Sequence, residues 1–238
     1  MKTISLDRIL QSQGIGSRKT CRAIIADGLV SIGGHLVDNW SAEFDPAGLY
    51  FSLDDQDFEY LEHLYLAMNK PTGYECSRKP VHHPSVLSLL PERFVNRDIQ
   101  PVGRLDQDTG GLLLLSDDGQ FIHAQSSPKK HQAKTYRVGV DRPVEPALLA
   151  LLLAGVQLLD EPGPLRALEC VQTGSHSLEL SIDQGKYHQV RRMIAAAGNH
   201  CTALARDAIG GLTLAALGLA PGEWCLLSAA QRQLLVPV

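Results

Sequence analysis

The 238-residue sequence has no excess of positive charge: 22 Lys and Arg stand against 26 Asp and Glu, a net charge of −4. Any polyanionic partner must therefore be met by local basic patches rather than by the field of the whole molecule. It has no CxxC pair. Its five cysteines, Cys21, Cys76, Cys170, Cys201 and Cys225, are odd in number and far apart, which argues against a disulfide framework or a zinc site and fits a reducing cytoplasm. It has no membrane-length apolar run. The longest, Ala147 to Ala154 between Pro146 and Gly155, falls far short of the roughly 20 residues a bilayer requires and reads as a buried helix. Nor do the first residues read as a signal peptide, because Asp7 and Arg8 interrupt what would be its apolar core. Internal repeats and low-complexity tracts are also missing. What remains is the composition of an ordinary globular protein, 44% hydrophobic and 20% charged, long enough for a small domain joined to a medium one.

The first forty residues read as helix, helix, hairpin. Leu6, Ile9 and Leu10 recur at i, i+3, i+4 spacing up to Gly14 to Gly16; Ser17 is placed to cap a second helix carrying Cys21, Ile24 and Ile25, and Gly28 to stop it. Val30 and Ile32 then alternate with polar neighbours, Gly33-Gly34 permits a tight turn, and Leu36 with Val37 begins a return strand. On the second helix Arg18, Lys19 and Arg22 fall within about 100° of arc, a single cationic face beside the apolar stripe. From Ser41 to Glu62 the sequence turns acidic, with Tyr50, Phe51, Phe58 and Tyr60 interleaved, and is read as the domain junction. The expected division is residues 1–61, domain and linker, followed by 62–238.

Beyond it, Tyr65 to Asn69, Leu112 to Leu115, Thr135 to Val140 and Ser177 to Ile182 read as strands, and Pro146 to Ala154 and Gln189 to Ala197 as helices. Strands outnumber helices without alternating strictly with them. The expected class is therefore α+β, with a mainly antiparallel mixed sheet flanked by helices.

The segment PVGRLDQDTGGLLLLSDDG, Pro101 to Gly119, sets Asp106 two residues after Arg104 and just before Thr109-Gly110-Gly111. An acid there is held on a rigid base at the start of a buried strand. Taken alone, an aspartate near glycine most often caps its own backbone, a role that suits Asp108, Asp117 and Asp118 as well. Two later segments are basic. One carries Lys129, Lys130, Lys134, Arg137 and Arg142; the other carries Lys186, Arg191, Arg192 and Arg206 with no acid between them, and such clusters can track phosphates. Tyr136 and Tyr187 lie among these charges, where a splayed-out base could stack.

The stretch Leu6 to Val37, LDRILQSQGIGSRKTCRAIIADGLVSIGGHLV, resembles the S4 RNA-binding domain, with Gly33-Gly34 where that family usually has Asn-Gly. PVGRLDQDTGGLLLLSDDG, SSPKKHQAKTYRV and GKYHQVRRMIAAAGNH together resemble the pseudouridine synthases that carry an S4 domain and modify ribosomal RNA, and the match runs from Leu6 to Leu227. GKYHQVRRM, the Met68 to Tyr74 segment and HPSVLSLL (His83 to Leu90) look more like the branch acting on small-subunit (16S) rRNA than its large-subunit (23S) relatives, which often have Arg-Asn where Tyr187 and His188 stand.

The resemblance implies an isomerase that needs no cofactor and no metal. Asp106 would be its catalytic acid, either attacking ribose C1′ or removing the C2′ proton. Arg191 would lie beside that carboxylate and favour its ionised form, and Tyr136 would stack on the target uracil and assist removal of the C5 proton. Arg104 would fill the space left by the flipped nucleotide. RNA contacts are expected from Arg18, Lys19 and Arg22 and from Lys134, Lys186, His188, Gln189 and Arg192. The implied partner is ribosomal RNA within an assembling small subunit, met by a cytoplasmic monomer with no membrane association. The sequence departs from the family at Ala124 and Ala208, where arginines are common, so peripheral RNA contacts should differ. The readings set against this one are a 23S rRNA synthase and a non-catalytic RNA-binding ribosome-assembly factor.

Overall fold

The computed structural model describes residues 3–127 and 131–235 and divides into two compact units. The first runs to Leu64 and takes in Leu90–Gln100. Its helices are α1 (Leu6–Ser12) and α2 (Arg18–Ala26). Its strands are β1 (Ile4–Ser5), β2 (Val30–Ile32), β3 (His35–Leu36), β4 (Glu43–Phe44), β5 (Tyr50–Leu53) and β6 (Gln56–Glu59). Leu6 and Leu10 of α1 meet Cys21 and Ile25 of α2 over Val30 and Phe51 in one buried core. The Ser17 hydroxyl accepts from the Thr20 amide and so caps α2. Between β2 and β3, Gly33 and Gly34 have φ of 59° and 79°, the pair of left-handed residues that a two-residue hairpin requires.

The acidic stretch after Ser41 is not a linker. β5 pairs with β2 and β6 with β5, extending the sheet to β3-β2-β5-β6. Phe51 and Phe58 stand opposite each other in the ladder, rings stacked at 5.5 Å. The acids Asp54 and Asp55 form the hairpin tip with φ of 49° and 62°. Alternation places Phe51 and Phe58 inward and leaves Tyr50 and the carboxylates in solvent, so a composition shift that resembles a junction is in fact an antiparallel hairpin.

A single cut after residue 61 does not describe the first unit either. Helix α3 (Glu92–Val95) belongs to it: Phe94 is buried, Asn96 Nδ2 donates to the Gly14 carbonyl at 3.1 Å, and Arg97 reaches Gln13 Oε1 at 3.1 Å and the Glu62 carbonyl at 3.0 Å.

The second unit is built on a mixed sheet. Its elements are β7 (Tyr65–Lys70), β8 (Gln100–Val102), β9 (Thr109–Ser116), α4 (Gly119–Ser126), β10 (Lys134–Val140), α5 (Pro146–Ala154), β11 (Glu169–Gly174), β12 (Ser177–Ile182), α6 (Gln189–Ala196), β13 (Cys201–Ile209), β14 (Leu212–Thr213), α7 (Leu214–Leu217), β15 (Trp224–Leu226) and α8 (Ala229–Gln233). The main path is β11-β12-β10-β13-β9-β7-β15, with β14 on β13 and β8 on β9. The β13/β9 pair is parallel, while the other pairs along the main path are antiparallel. The chain is α+β in character. Every residue of β9 is buried, which is why its sequence is a continuous apolar run rather than an alternating one. Leu112 and Leu114 of this strand pack with Ala67, Ile209 and Leu212, and with Phe121 and Ile122 of α4.

Helix α5 is only half as buried as its sequence suggests. Leu148 and Leu152 are covered, whereas Leu151 and Leu153 are exposed. A helix apolar all round gives no periodicity from which to read its inner face, and here a single stripe is enough to dock it.

Candidate active site

β8 and β9 are joined by the loop that carries Asp106, and the loop is gripped from below. Lys70, at the end of β7, is 1% exposed. Its ammonium donates to the carbonyls of Thr109 (2.8 Å), Asp106 (3.1 Å), Pro71 (3.1 Å) and Gln107 (3.4 Å). Burial pushes this ammonium below its usual pKa, against the opposing pull of Cys76, Asp108 and Asp106. Four carbonyl dipoles replace the water it has lost and tie three residues of the loop to one point. Thr109-Gly110-Gly111 then lets the loop enter the sheet. Gly111 has φ of 100°, and a Cβ there would overlap the backbone of Arg206 on β13, so the parallel β9/β13 contact depends on glycine at that position.

Above the loop lies a cavity of about 470 Å³, lined among others by Arg104, Asp106, Thr109, Lys134, Tyr136, His188 and Arg206. That volume lies in the range of small-molecule sites. Tyr136 forms part of the wall from β10, in register with Leu180 of β12 and Arg206 of β13. It is 8% exposed. Lys134, two residues earlier and therefore on the same face of the strand, donates to the Gln132 carbonyl at 2.8 Å. Burial first, then the positive charge of Arg206, bring its ammonium down to about 8, with Asp183 pulling the other way. Arg104 is exposed at the cavity.

The side chain beside Asp106 is not the expected one. Asp106 Oδ1 lies 3.3 Å from His188 Nε2, both side chains a little more than one-third exposed. Arg191 instead meets Asp108, at 2.9 Å through the carboxylate and 3.4 Å through the carbonyl. The reason is local backbone. His188 precedes α6 with φ of 46° and ψ of 33°, a left-handed conformation uncommon for a side-chain-bearing residue. Its imidazole meets Asp106 and stacks on Tyr187 at 3.9 Å. Asp108, which on its own could have been a backbone cap, is thereby an ion-pair partner.

Other expected contacts are redistributed. Lys186 and Arg192 both reach Glu161, at 3.2 Å and 3.7 Å, and Arg192 also donates to the carbonyls of Tyr187 and Leu159. The second basic segment has no acid in sequence but acquires one in space. Gln189, expected on RNA, is 4% exposed; its Oε1 accepts from the Lys186 amide and its Nε2 points to Met193 Sδ. It holds the start of α6. In the first unit, Arg18 and Arg22 donate to Asp7 Oδ2 at 2.9 Å and 2.7 Å, and Arg22 lies over the Trp40 ring. Among the described residues, Lys19 of the expected cationic face has no such tie, and it is exposed. Lys129 and Lys130 lie outside the described residues.

The sequence reading ends the strand at Asn69, one residue short of Lys70, and takes Arg206 for one more member of a basic run. Each left a signal. Lys70 ends the apolar strand YLAMNK, and Arg206 occupies a buried strand position between buried Leu204 and Ala208. A cation at a core-facing strand position requires a partner. Among the described residues no group of three or more His, Cys, Asp or Glu is placed to hold a metal, and no helix is long and apolar enough to cross a membrane.

Comparison with known proteins places this geometry in a context. The family described as RNA pseudouridylate synthase matches residues 64–196. An uncharacterised RNA pseudouridine synthase of Bacillus subtilis (strain 168) is 35% identical over 235 residues, 97% of each chain. The ribosomal small subunit pseudouridine synthase A of Escherichia coli (strain K12) is 44% identical over 165 residues, covering 67% of this chain and 68% of that protein. Its namesake in Haemophilus influenzae is 33% identical over 234 residues, covering 97% and 99%. A crystal structure of a pseudouridylate synthase, 32% identical, matches with a TM-score of 0.69 over 98% of this chain and 100% of that one.

Proposed function

This chain belongs to the RNA pseudouridylate synthase family, and on that premise we propose that it isomerises one uridine of small-subunit (16S) ribosomal RNA to pseudouridine. It is an isomerase acting on RNA. The observation that carries the finer reading is a carboxylate, Asp106, held by a clamped loop at a cavity with Tyr136 in its wall. The choice of small-subunit RNA rests on the relatives that bear that name over most of their length.

In the reaction the bond from ribose C1′ to uracil N1 breaks, the freed base turns, and C5 bonds to C1′. C5 loses a proton and N1 gains one, so atoms and electrons balance without a cofactor. Asp106 serves as nucleophile on C1′ or as base at C2′, and the Lys70 clamp fixes it relative to the ribose. Tyr136 stacks on the uracil. His188, at hydrogen-bond range from Asp106, orients the carboxylate, and Arg191 fixes the same loop through Asp108. Arg104 occupies the gap left by the flipped nucleotide, whose extraction costs a few kcal/mol.

The first unit, with its helix, helix, hairpin order, serves as the S4-like RNA-binding part. Lys19 and the exposed portions of Arg18 and Arg22 meet the phosphate backbone. At a net charge of −4, binding relies on such patches and weakens steeply with salt. Mapping pseudouridines in rRNA from cells with and without the gene tests the proposal. One 16S position should lose its modification; a loss confined to 23S rRNA would reassign the substrate, and no loss anywhere would favour a non-catalytic assembly role.

A further inference from the structure

The cavity wall beside Tyr136 contains a cation that the described residues leave incomplete. Arg206 stands opposite Tyr136 across the β13/β10 ladder, so the two side chains leave the sheet on the same face. Arg206 is 3% exposed. Its Nε donates to the Leu112 carbonyl at 2.8 Å, whereas its Nη2 is buried with no hydrogen-bond partner among the described residues. Thr109 Oγ1, on the same cavity, is likewise buried and unpartnered. Lys134 adds a second cation, an ammonium, to this wall, near enough to Arg206 for the two charges to oppose one another. Buried donors are almost always paired in native proteins, because leaving one unmade sacrifices its hydration for nothing. Two neighbouring cations lining one cavity, one of them incompletely paired, are the arrangement expected when a ligand supplies the missing acceptors.

We propose that Arg206 and Lys134 are catalytic residues that hold the carbonyl oxygens of the target uracil and take up the negative charge the base carries while detached from ribose. This deepens the reading of the site as a pseudouridine synthase and rests on it. When C1′–N1 breaks, its electron pair stays with the base and spreads from N1 onto O2 and O4. At that moment Asp106 is bonded to C1′ or holds the C2′ proton. The pair then returns through C5, which joins C1′; C5 loses its proton and N1 gains one, and nothing is oxidised or reduced. Cations at the oxygens stabilise the charged base more than the neutral uridine, so they accelerate the chemical step rather than merely tightening binding. They also select against cytidine, whose C4 amino group would set donor against donor.

The test uses the full chain under single-turnover conditions on a mixture of 16S and 23S rRNA transcripts made with either uridine or 5-fluorouridine. Nucleoside chromatography of the digested RNA follows glycosidic isomerisation as loss of the N1-linked nucleoside and gain of the C5-linked one; with fluorine at C5 there is no proton to leave, and the C5-linked product keeps its fluorine and takes up water across C6=N1. Fluorine withdraws electrons and makes the base a better leaving group, so its departure depends less on the cations. Arg206→Gln should slow the reaction on uridine RNA about 10²- to 10³-fold with RNA affinity unchanged. Its defect should be about tenfold smaller on 5-fluorouridine RNA. Equal slowing on both RNAs, or no slowing, overturns the proposal, because a merely structural role does not sense the leaving group. If circular dichroism shows that Arg206→Gln does not fold, Lys134→Gln carries the same comparison: a smaller defect on 5-fluorouridine RNA supports the proposal, and equal or absent slowing overturns it. Failure of the unaltered protein to form any pseudouridine would instead sink the functional reading beneath it.

Discussion

Asp7 in the first unit and Arg206 in the second are both sealed from solvent, yet their surroundings differ. Asp7 is fully buried and fully met: the Ser5 hydroxyl donates to one carboxylate oxygen at 2.7 Å and two guanidinium groups to the other. Burial by itself would raise its carboxyl, but the hydrogen bonds from Ser5, Arg22 and Arg18 outweigh that effect and hold it down at about 2. Arg206 keeps one donor without an acceptor among the described residues and has a like charge, Lys134, for a neighbour. A buried charge closed on all sides fixes a fold. A buried charge left open is tolerated where a ligand completes it.

That contrast can be broken, most severely at the cavity. Asp106→Asn removes the carboxylate but leaves the Lys70 grip, which acts on backbone carbonyls. Pseudouridine formation should fall by about 10⁴-fold or more while RNA affinity measured by filter binding is nearly preserved. Substantial product from this variant would show that the carboxylate is not the reacting group.

Lys70→Met sharpens the comparison, since Lys70 is a buried cation that is completed, like Asp7, yet serves the cavity. Releasing the loop should lower the single-turnover rate about 10²-fold, the usual cost of misplacing a reacting group by about an ångström. A rate equal to that of the unaltered protein, with an unchanged unfolding midpoint, would mean that the glycines alone set the loop.

The smallest expected effect lies in the first unit. Asp7→Asn should cost it about 1–3 kcal/mol in urea unfolding at neutral pH and leave the chemical step untouched. The sign of the pH dependence follows from a depressed carboxyl. The stabilisation is fully present above the ordinary value of 3.8 and is lost as pH falls through about 2. The difference between variant and parent should therefore close over that interval, and a gap that persists to the acid limit would point to packing rather than charge.

Much of this was legible along the chain. The helices α1, α2 and α6, the Ser17 cap of α2, the Gly33-Gly34 turn and the buried run of β9 follow from periodicity and turn chemistry, which act between neighbours in sequence. The Asp106 loop was legible too, because a short polar stretch with two glycines leads directly into an apolar strand. Illegible were the hairpin hidden in the acidic stretch, the attachment of Leu90–Gln100 to the first unit, and the pairing of charges. His188 rather than Arg191 at Asp106, Glu161 between Lys186 and Arg192, and Asp7 beneath Arg18 and Arg22 all join positions brought together only by folding.

The sequence by itself determined helices α1, α2, α5 and α6 and strands β7, β9, β10 and β12, and it carried the motifs of the family, because propensity and hydrophobic period are local. Tertiary structure alone decided which charges are neutralised and which are left to a ligand. Coulombic pairing depends on distance in space, and residues as far apart along the chain as Lys70 and Thr109 or Tyr136 and Arg206 acquire that distance only when the sheet closes around them.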